Sequence, residues 1–125
     1  MAKKAAFLLL MLTVLAGCGS SKNASYSTFD KKAIATYYAD KFNGKQTASG
    51  EKFSNSKLTA AHKKLPFGTK LKVTNNANGK SVIVTVNDRG PFTKGYDIDL
   101  SKKAFMEISD NKNHGKLVVT LEIAK

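Results

Sequence analysis

A chain of 125 residues has room for one domain of ordinary size, and 21 basic against 9 acidic residues give it a formal charge of +12. A single cysteine excludes an intrachain disulfide, and with only two histidines beside it there is no zinc-ligand set, so no metal or other cofactor is expected. The cations are lysines except for Arg89, which speaks against a nucleic-acid partner, since phosphate and base recognition relies on bidentate guanidinium contacts.

At the N-terminus Lys3 and Lys4 precede an apolar run over 5–17 that stops at Cys18. The run is too short to span a membrane and reads as an export signal over 1–17. Leu15-Ala16-Gly17-Cys18 resembles the bacterial lipobox. That resemblance implies cleavage before Cys18 and lipidation of its thiol, which accounts for a lone cysteine in an exported chain. More than one acyl chain anchors stably where one is marginal. Gly19 and Ser20, with no Asp after the cysteine, imply sorting to the periplasmic face of the outer membrane if the host has one. Residues 18–32 are small and polar and read as a tether from lipid to domain. The folded domain is then expected over 33–125.

Within that domain strand patterns dominate. Residues 33–39 (AIATYYA) are rich in β-branched and aromatic types. Residues 58–66 (LTAAHKKLP) have room for one short turn of helix before Pro66. Residues 69–75 alternate Leu71 and Val73 with Lys70, Lys72 and Thr74, and residues 81–87 place Val82, Val84 and Val86 on one face. Between these two strands Asn78-Gly79 is a strong hairpin signal. Residues 101–109 have helical spacing, with Ser101 as N-cap and Ala104, Phe105 and Ile108 on the apolar side. Residues 116–124 alternate Leu117, Val119, Leu121 and Ile123 as a last strand. Short strands with turn signals and little helix predict a mainly β fold, a small barrel with one or two short helices.

Four motifs, GKQTASGEKF (44–53), LTAAHKKLPFGTKLKVTN (58–75), VNDRGPF (86–92) and DIDLSKKAF (97–105), occur in the order and spacing of rare lipoprotein A, the RlpA-like family. The resemblance covers about residues 35–119. It implies a six-stranded double-psi β-barrel, shared with expansins and some endoglucanases. It also implies a peptidoglycan lytic transglycosylase activity, found in some members, on glycan strands stripped of peptide stems. Glu51, His62 and Asp88 stand at the family's polar active-site positions, and Asp99 matches the catalytic aspartate of expansin-like barrels and related transglycosylases. Tyr38, Thr59 and Arg89 are the corresponding substrate contacts. A cationic surface suits peptidoglycan, a repetitive anionic partner, and the protein is expected to be a monomer. The chain, ending at Lys125, is expected to act without the sporulation-related repeat domain of many family members. The chain departs from the family pattern in two places: it has Tyr96-Asp97 where arginine is common just ahead of IDLS, and Ala39 replaces a common glycine.

The residue chemistry stands beside the resemblance. Cleaving a glycosidic bond requires a proton for the leaving oxygen and stabilisation of an oxocarbenium-like centre. A transglycosylase that closes a 1,6-anhydro ring requires no water, so one carboxyl group can serve as acid and then as base. Asp99 is expected in that role, its pKa lifted by Asp88, with Glu51 or Asp88 stabilising the cation and His62 orienting a carboxylate or sugar hydroxyls. Each residue also has a plainer reading: Asp88 as a turn residue, Asp99 as a helix cap, Glu51 as a surface charge, His62 as a satisfied buried histidine. The same groove could also serve an expansin-like glycan binder or division-associated lipoprotein that does not cleave.

Overall fold

The structure, a computed structural model, describes residues 25–125. The export signal, Cys18 and the first part of the tether lie outside the described residues. Six strands, β1 (Tyr26–Tyr37), β2 (Thr59–His62), β3 (Lys70–Asn75), β4 (Ser81–Asp88), β5 (Ile98–Leu100) and β6 (Leu117–Ala124), close into a barrel in the order β1-β5-β2-β4-β3-β6. Two pairs are parallel, β1 with β5 and β2 with β4, and the other four are antiparallel. Among the described residues one helix, α1 (Lys102–Ile108), and a 3-10 turn at Asp40–Phe42 accompany the strands. The mainly β barrel expected from the sequence is the fold observed.

The period-2 patterns put one row of each strand inside. Leu71 and Val73 of β3, Val82, Val84 and Val86 of β4, Ile98 and Leu100 of β5, and Val119 and Leu121 of β6 form one buried cluster with Ala33, Ala35 and Ala60. Ser101 caps α1 by accepting from the Ala104 amide at 3.3 Å, so Asp99 is not the cap. The helix sends Ala104, Phe105 and Ile108 into the same core. Its last turn is held by Asn75 and Asn78, whose side-chain amides donate to the Ile108 carbonyl at 2.8 and 3.0 Å. Truncating Phe105 to alanine would cost about 3–5 kcal/mol through lost burial and an unfilled cavity.

Two expectations are corrected. Tyr26–Lys32, read as tether, is the first half of β1, paired antiparallel with β6 from Tyr26↔Ala124 onward. This half is largely exposed, so it carries no apolar alternation; the backbone ladder makes it a strand, and β-bulges between Thr28 and Ala33 break its period further. Residues 59–62, placed in a possible helical turn, form β2, because Ala60 and Ala61 pair on both sides, with β4 and with β5, while Thr59 pairs with β4 and His62 with β5. Alanine is a good helix former, but the small side chain suits a strand enclosed between two others, and tertiary pairing overrides propensity.

Candidate functional site

β2 lies between β5 and β4, and Ala61 is the register partner of Asp99 on one side and of Asp88 on the other. Strands lie about 4.8 Å apart, so the two aspartate Cα atoms flank Ala61 at a separation of about 9–10 Å. Ile98 and Leu100 point into the core, so the alternation turns Asp99 outward. Asp88 would by the same rule point inward with Val84 and Val86. A register shift between Ala60 and Ala61, opposite Val86 and Asp88, inserts Asn87 as an extra residue and turns Asp88 outward. Ala61, 1 % exposed and outside the core cluster, is the floor between the two carboxylates.

The two carboxylates are held differently. Asp88 is saturated: Oδ2 accepts from the Tyr38 hydroxyl at 2.6 Å, and Oδ1 accepts from the amides of Ala48 at 2.8 Å and Arg89 at 2.9 Å. Asp99 accepts from the Thr36 hydroxyl through Oδ1. Burial pushes the Asp99 pKa above the ordinary carboxyl value; the Thr36 hydrogen bond works against this and the Asp88 charge adds to it. Burial, together with its bond to Asp88, pushes the Tyr38 hydroxyl far up, so it stays a donor.

A hairpin at 44–53 lies over this face. Its arms are joined by Gly44 N–H to Phe53 O at 2.8 Å, Phe53 N–H to Lys45 O at 2.7 Å and Thr47 N–H to Glu51 O at 2.7 Å. Its tip is fixed to β4 by the Ala48 amide on Asp88 and by the Ser49 amide on the Asn87 carbonyl at 3.3 Å. The Tyr38 ring stacks on Phe53 at 4.0 Å. The cleft that results, about 590 Å³, is lined by Tyr37, Tyr38, Gln46, Asp88, Arg89 and Asp99, with Phe92 88 % exposed at its rim. Gly90 turns the chain there at φ +123°, where a Cβ would be strained and would meet the Phe92 ring at 3.4 Å. Arg89 directs its guanidinium away, donating to the carbonyls of Leu65 at 2.8 Å and His62 at 3.4 Å and stacking over Phe67.

Of the residues named from sequence, the structure brings together Asp99, Asp88, Tyr38 and Arg89. It does not bring Glu51, Thr59 or His62 into this cleft. Glu51 accepts from the Asn87 side-chain amide at 3.1 Å and, with Thr59, lines a second cleft beyond the hairpin. His62 is buried, its Nδ1 accepts from the amides of Lys64 and Leu65 at 3.0 and 3.2 Å, and its ring packs edge-on against Phe29. Burial, reinforced by Arg89, lowers its pKa. Asp97 accepts from the Ile34 amide at 2.8 Å and points elsewhere. Sequence reasoning passed over Thr36, Ala61 and Asn87. The first was visible as the polar member of the Ala35/Thr36 alternation; nothing local marked the bulge. Among the described residues no three His, Cys, Asp or Glu side chains stand close enough to hold a metal ion, and no helix is long and apolar enough to cross a membrane.

Comparisons with known proteins bear on the family and the fold. Residues 30–121 match the model of a family described as lytic transglycolase. The endolytic peptidoglycan transglycosylase RlpA of Rickettsia felis is 49% identical over 104 residues, 81% of this chain and 45% of that protein. The RlpA of Pasteurella multocida is 49% identical over 89 residues, 71% of this chain and 30% of that protein. The chain thus spans less than half the length of these curated relatives. An expansin of Clavibacter michiganensis superposes with a TM-score of 0.61 at 21% identity, covering 78% of this chain and 51% of that one. A Streptomyces papain inhibitor superposes with a TM-score of 0.62 at 23% identity, covering 78% and 96%. These structural likenesses show the fold. With most of the barrel inside the family match and half its residues shared with RlpA proteins, the chain belongs to the RlpA-like, double-psi β-barrel lytic transglycolase family.

Proposed function

We propose that this protein is a lytic transglycosylase that cleaves peptidoglycan glycan strands, preferably stripped of peptide, between N-acetylmuramic acid and N-acetylglucosamine, leaving a 1,6-anhydromuramyl end. The observation that carries the reading is a half-buried carboxyl, Asp99, with a raised pKa, facing an open cleft across Ala61 from a fixed carboxylate, Asp88.

Asp99 in its protonated form gives its proton to the glycosidic oxygen as the bond to C1 of the muramic residue breaks. The C6 hydroxyl of the same residue attacks C1 from within, and its proton passes to the Asp99 carboxylate, which restores the acid. No water is consumed. Thr36 fixes one Asp99 oxygen and leaves the other free to carry the proton. Asp88, held by three donors, faces the cleft as an acceptor-only group suited to the developing positive charge. The exposed Phe92 ring suits sugar stacking at the rim. Lipidation at Cys18 would tether the domain to a membrane, placing the cleft within reach of the wall from the periplasmic face of the outer membrane.

The test is mass analysis of purified glycan strands after incubation. Anhydromuramyl ends are expected. Strands retained by the protein but left uncut would replace this reading by the expansin-like one, in which the cleft only holds the strand.

A further inference from the structure

Beside the face that carries Asp99 lies another cleft, of about 450 Å³, lined by Phe29, Asp30, His62, Lys63, Lys64 and Asp97. Asp97 stands just ahead of β5, two residues before Asp99, so strand alternation puts both on the outward row at a spacing of about 7 Å. β5 pairs with β1 only from Ala35 onward. Among the described residues the exposed first half of β1 therefore has no strand on this side, and the cleft occupies the place where one would lie.

The charges around this cleft are not spent on one another. Among the described residues the ion pairs are Lys80–Asp110 and Lys102–Asp40, so Lys63 and Lys64 stand beside Asp30 and Asp97 without pairing to them. Each carboxylate gives one oxygen to the fold: Asp30 Oδ1 accepts from the Lys32 amide at 3.0 Å, and Asp97 Oδ2 accepts from the Ile34 amide at 2.8 Å. The other oxygen of each has no donor among the described residues. His62 adds a donor of its own. It is 6 % exposed, and because its Nδ1 accepts from two amides, the proton of the neutral ring sits on Nε2. Nε2 has no acceptor among the described residues, yet it is not sealed in; the sealed and unpartnered side-chain atoms are Thr59 Oγ1 and Asn87 Oδ1. A nine-tenths buried ring thus presents an unspent N–H to the cleft. The carboxylates and the histidine do not converge closely enough to hold a metal ion, so the ligand they suit spans several atoms. An ammonium suits the two carboxylates, and a carboxylate suits the two lysines and the Nε2–H. Both groups on one carbon make the end of an α-amino acid. Peptidoglycan offers such an end on diaminopimelate in an uncross-linked stem peptide, with an aliphatic arm for the Phe29 ring, 43 % exposed at the cleft wall.

We propose that this cleft binds a zwitterionic amino-acid end, its ammonium on Asp30 and Asp97 and its carboxylate on Lys63, Lys64 and the His62 Nε2–H, and that in the wall this is the free diaminopimelate end of a stem peptide. The choice of a wall peptide rests on the reading of the first cleft as a peptidoglycan-cleaving site; the recognition of a zwitterion does not. A stem held here belongs to a strand beside the stripped one in the catalytic cleft. The protein then grips wall that still carries peptide while it cuts wall that has lost it.

The test is an NMR titration of the isotope-labelled protein with the tripeptide L-Ala-γ-D-Glu-meso-diaminopimelate, against L-Ala-γ-D-Glu-L-Lys, which keeps the side-chain ammonium but lacks the carboxylate on the same carbon. Saturable shifts are expected at Asp30, Lys63, Lys64 and Asp97 and at the His62 Nε2 nitrogen. The lysine tripeptide should bind about tenfold more weakly, the lower end for a hydrogen bond to a charged group. Lys64→Gln and Asp97→Asn should each weaken the diaminopimelate tripeptide by a similar factor. Both should stay folded, since the Lys64 ammonium is in no ion pair and asparagine still accepts from the Ile34 amide. Lys64→Gln should cleave stripped strands at the wild-type rate. Equal binding of the two tripeptides, or no shift at this cleft, would overturn the proposal. Free D-alanine binding as tightly as the diaminopimelate tripeptide would overturn the stem peptide as its source. Tripeptide binding by a protein that yields no anhydromuramyl ends would bring down the cleavage reading and leave the zwitterion site standing.

Discussion

Asp99 and His62 stand on adjacent strands one register step apart, Asp99 opposite Ala61 and Ile98 opposite His62, and burial pushes both toward their neutral forms. They differ in what their polar atoms do. His62 spends Nδ1 on two backbone amides of the turn that follows it, so its neutral form is part of the fold. Asp99 commits one oxygen to Thr36 and turns the carboxyl to an open cleft. A perturbed pKa therefore does not by itself mark a catalytic group. What separates the two is whether the preferred protonation state is used up by the backbone or is still available to a ligand.

The contrast is broken most directly at Asp99. Asn keeps the shape and the acceptor for Thr36 but has no proton to give, and general acid–base contributions are about 10²–10⁴-fold. Cleavage by Asp99→Asn should fall by that factor while binding to isolated sacculi survives. Stability should not suffer. A carboxyl raised in the folded state contributes stability that is full below its unfolded value and lost as pH rises through the folded one, so at neutral pH the Asn protein should melt at or above wild type. A folded Asp99→Asn protein that releases anhydromuramyl ends at the wild-type rate would move the acid to Asp88.

Three strands, β3, β4 and β6, could be read from period alone, because Leu71, Val73, Val82, Val84, Val86, Val119 and Leu121 face the core at every second position, and the helix from its own spacing of Ala104, Phe105 and Ile108. The start of β1 and the whole of β2 could not. Tyr26–Lys32 has no buried row to betray it, and the alanines of β2 say nothing of the strands on either side. The motifs named Asp88, Asp99 and Tyr38, but the grouping depended on a bulge at Asn87 that has no local signature. Without it Asp88 would face the core. The structure sets Glu51 and His62 outside the cleft that Asp99 faces, a placement that a list of polar positions does not contain.

His62 is the place to sharpen the contrast through stability. His62→Phe keeps a flat ring against Phe29 but leaves the amides of Lys64 and Leu65 without an acceptor, which should cost about 1–3 kcal/mol. The wild-type protein should also lose stability as pH falls from 6.5 through the lowered folded pKa, since only the unfolded chain takes up the proton readily there. The phenylalanine protein should lack that slope. Thermal melts from pH 7.5 down to about 5 measure both. A His62→Phe protein as stable as wild type but unable to cleave would place His62 in the chemistry after all.

The smallest expected effect is at Asp88, and it concerns the origin of the Asp99 shift. Burial is the main cause, and the negative charge of Asp88 adds to it. Asp88→Asn removes that charge, while the asparagine Oδ1 can still accept from the amides of Ala48 and Arg89 and hold the hairpin in place. The Asp99 pKa should then fall by a fraction of its present displacement. Because the acid must be protonated to act, the alkaline limb of the pH–rate profile should move to lower pH, with part of the shift retained from burial. Some rate should be lost as well, since a neutral amide stabilises a cationic centre less than a carboxylate does. A limb that stays in place would assign the whole displacement to burial, and a loss of cleavage as deep as that expected of Asp99→Asn would show that Asp88, not Asp99, carries the proton.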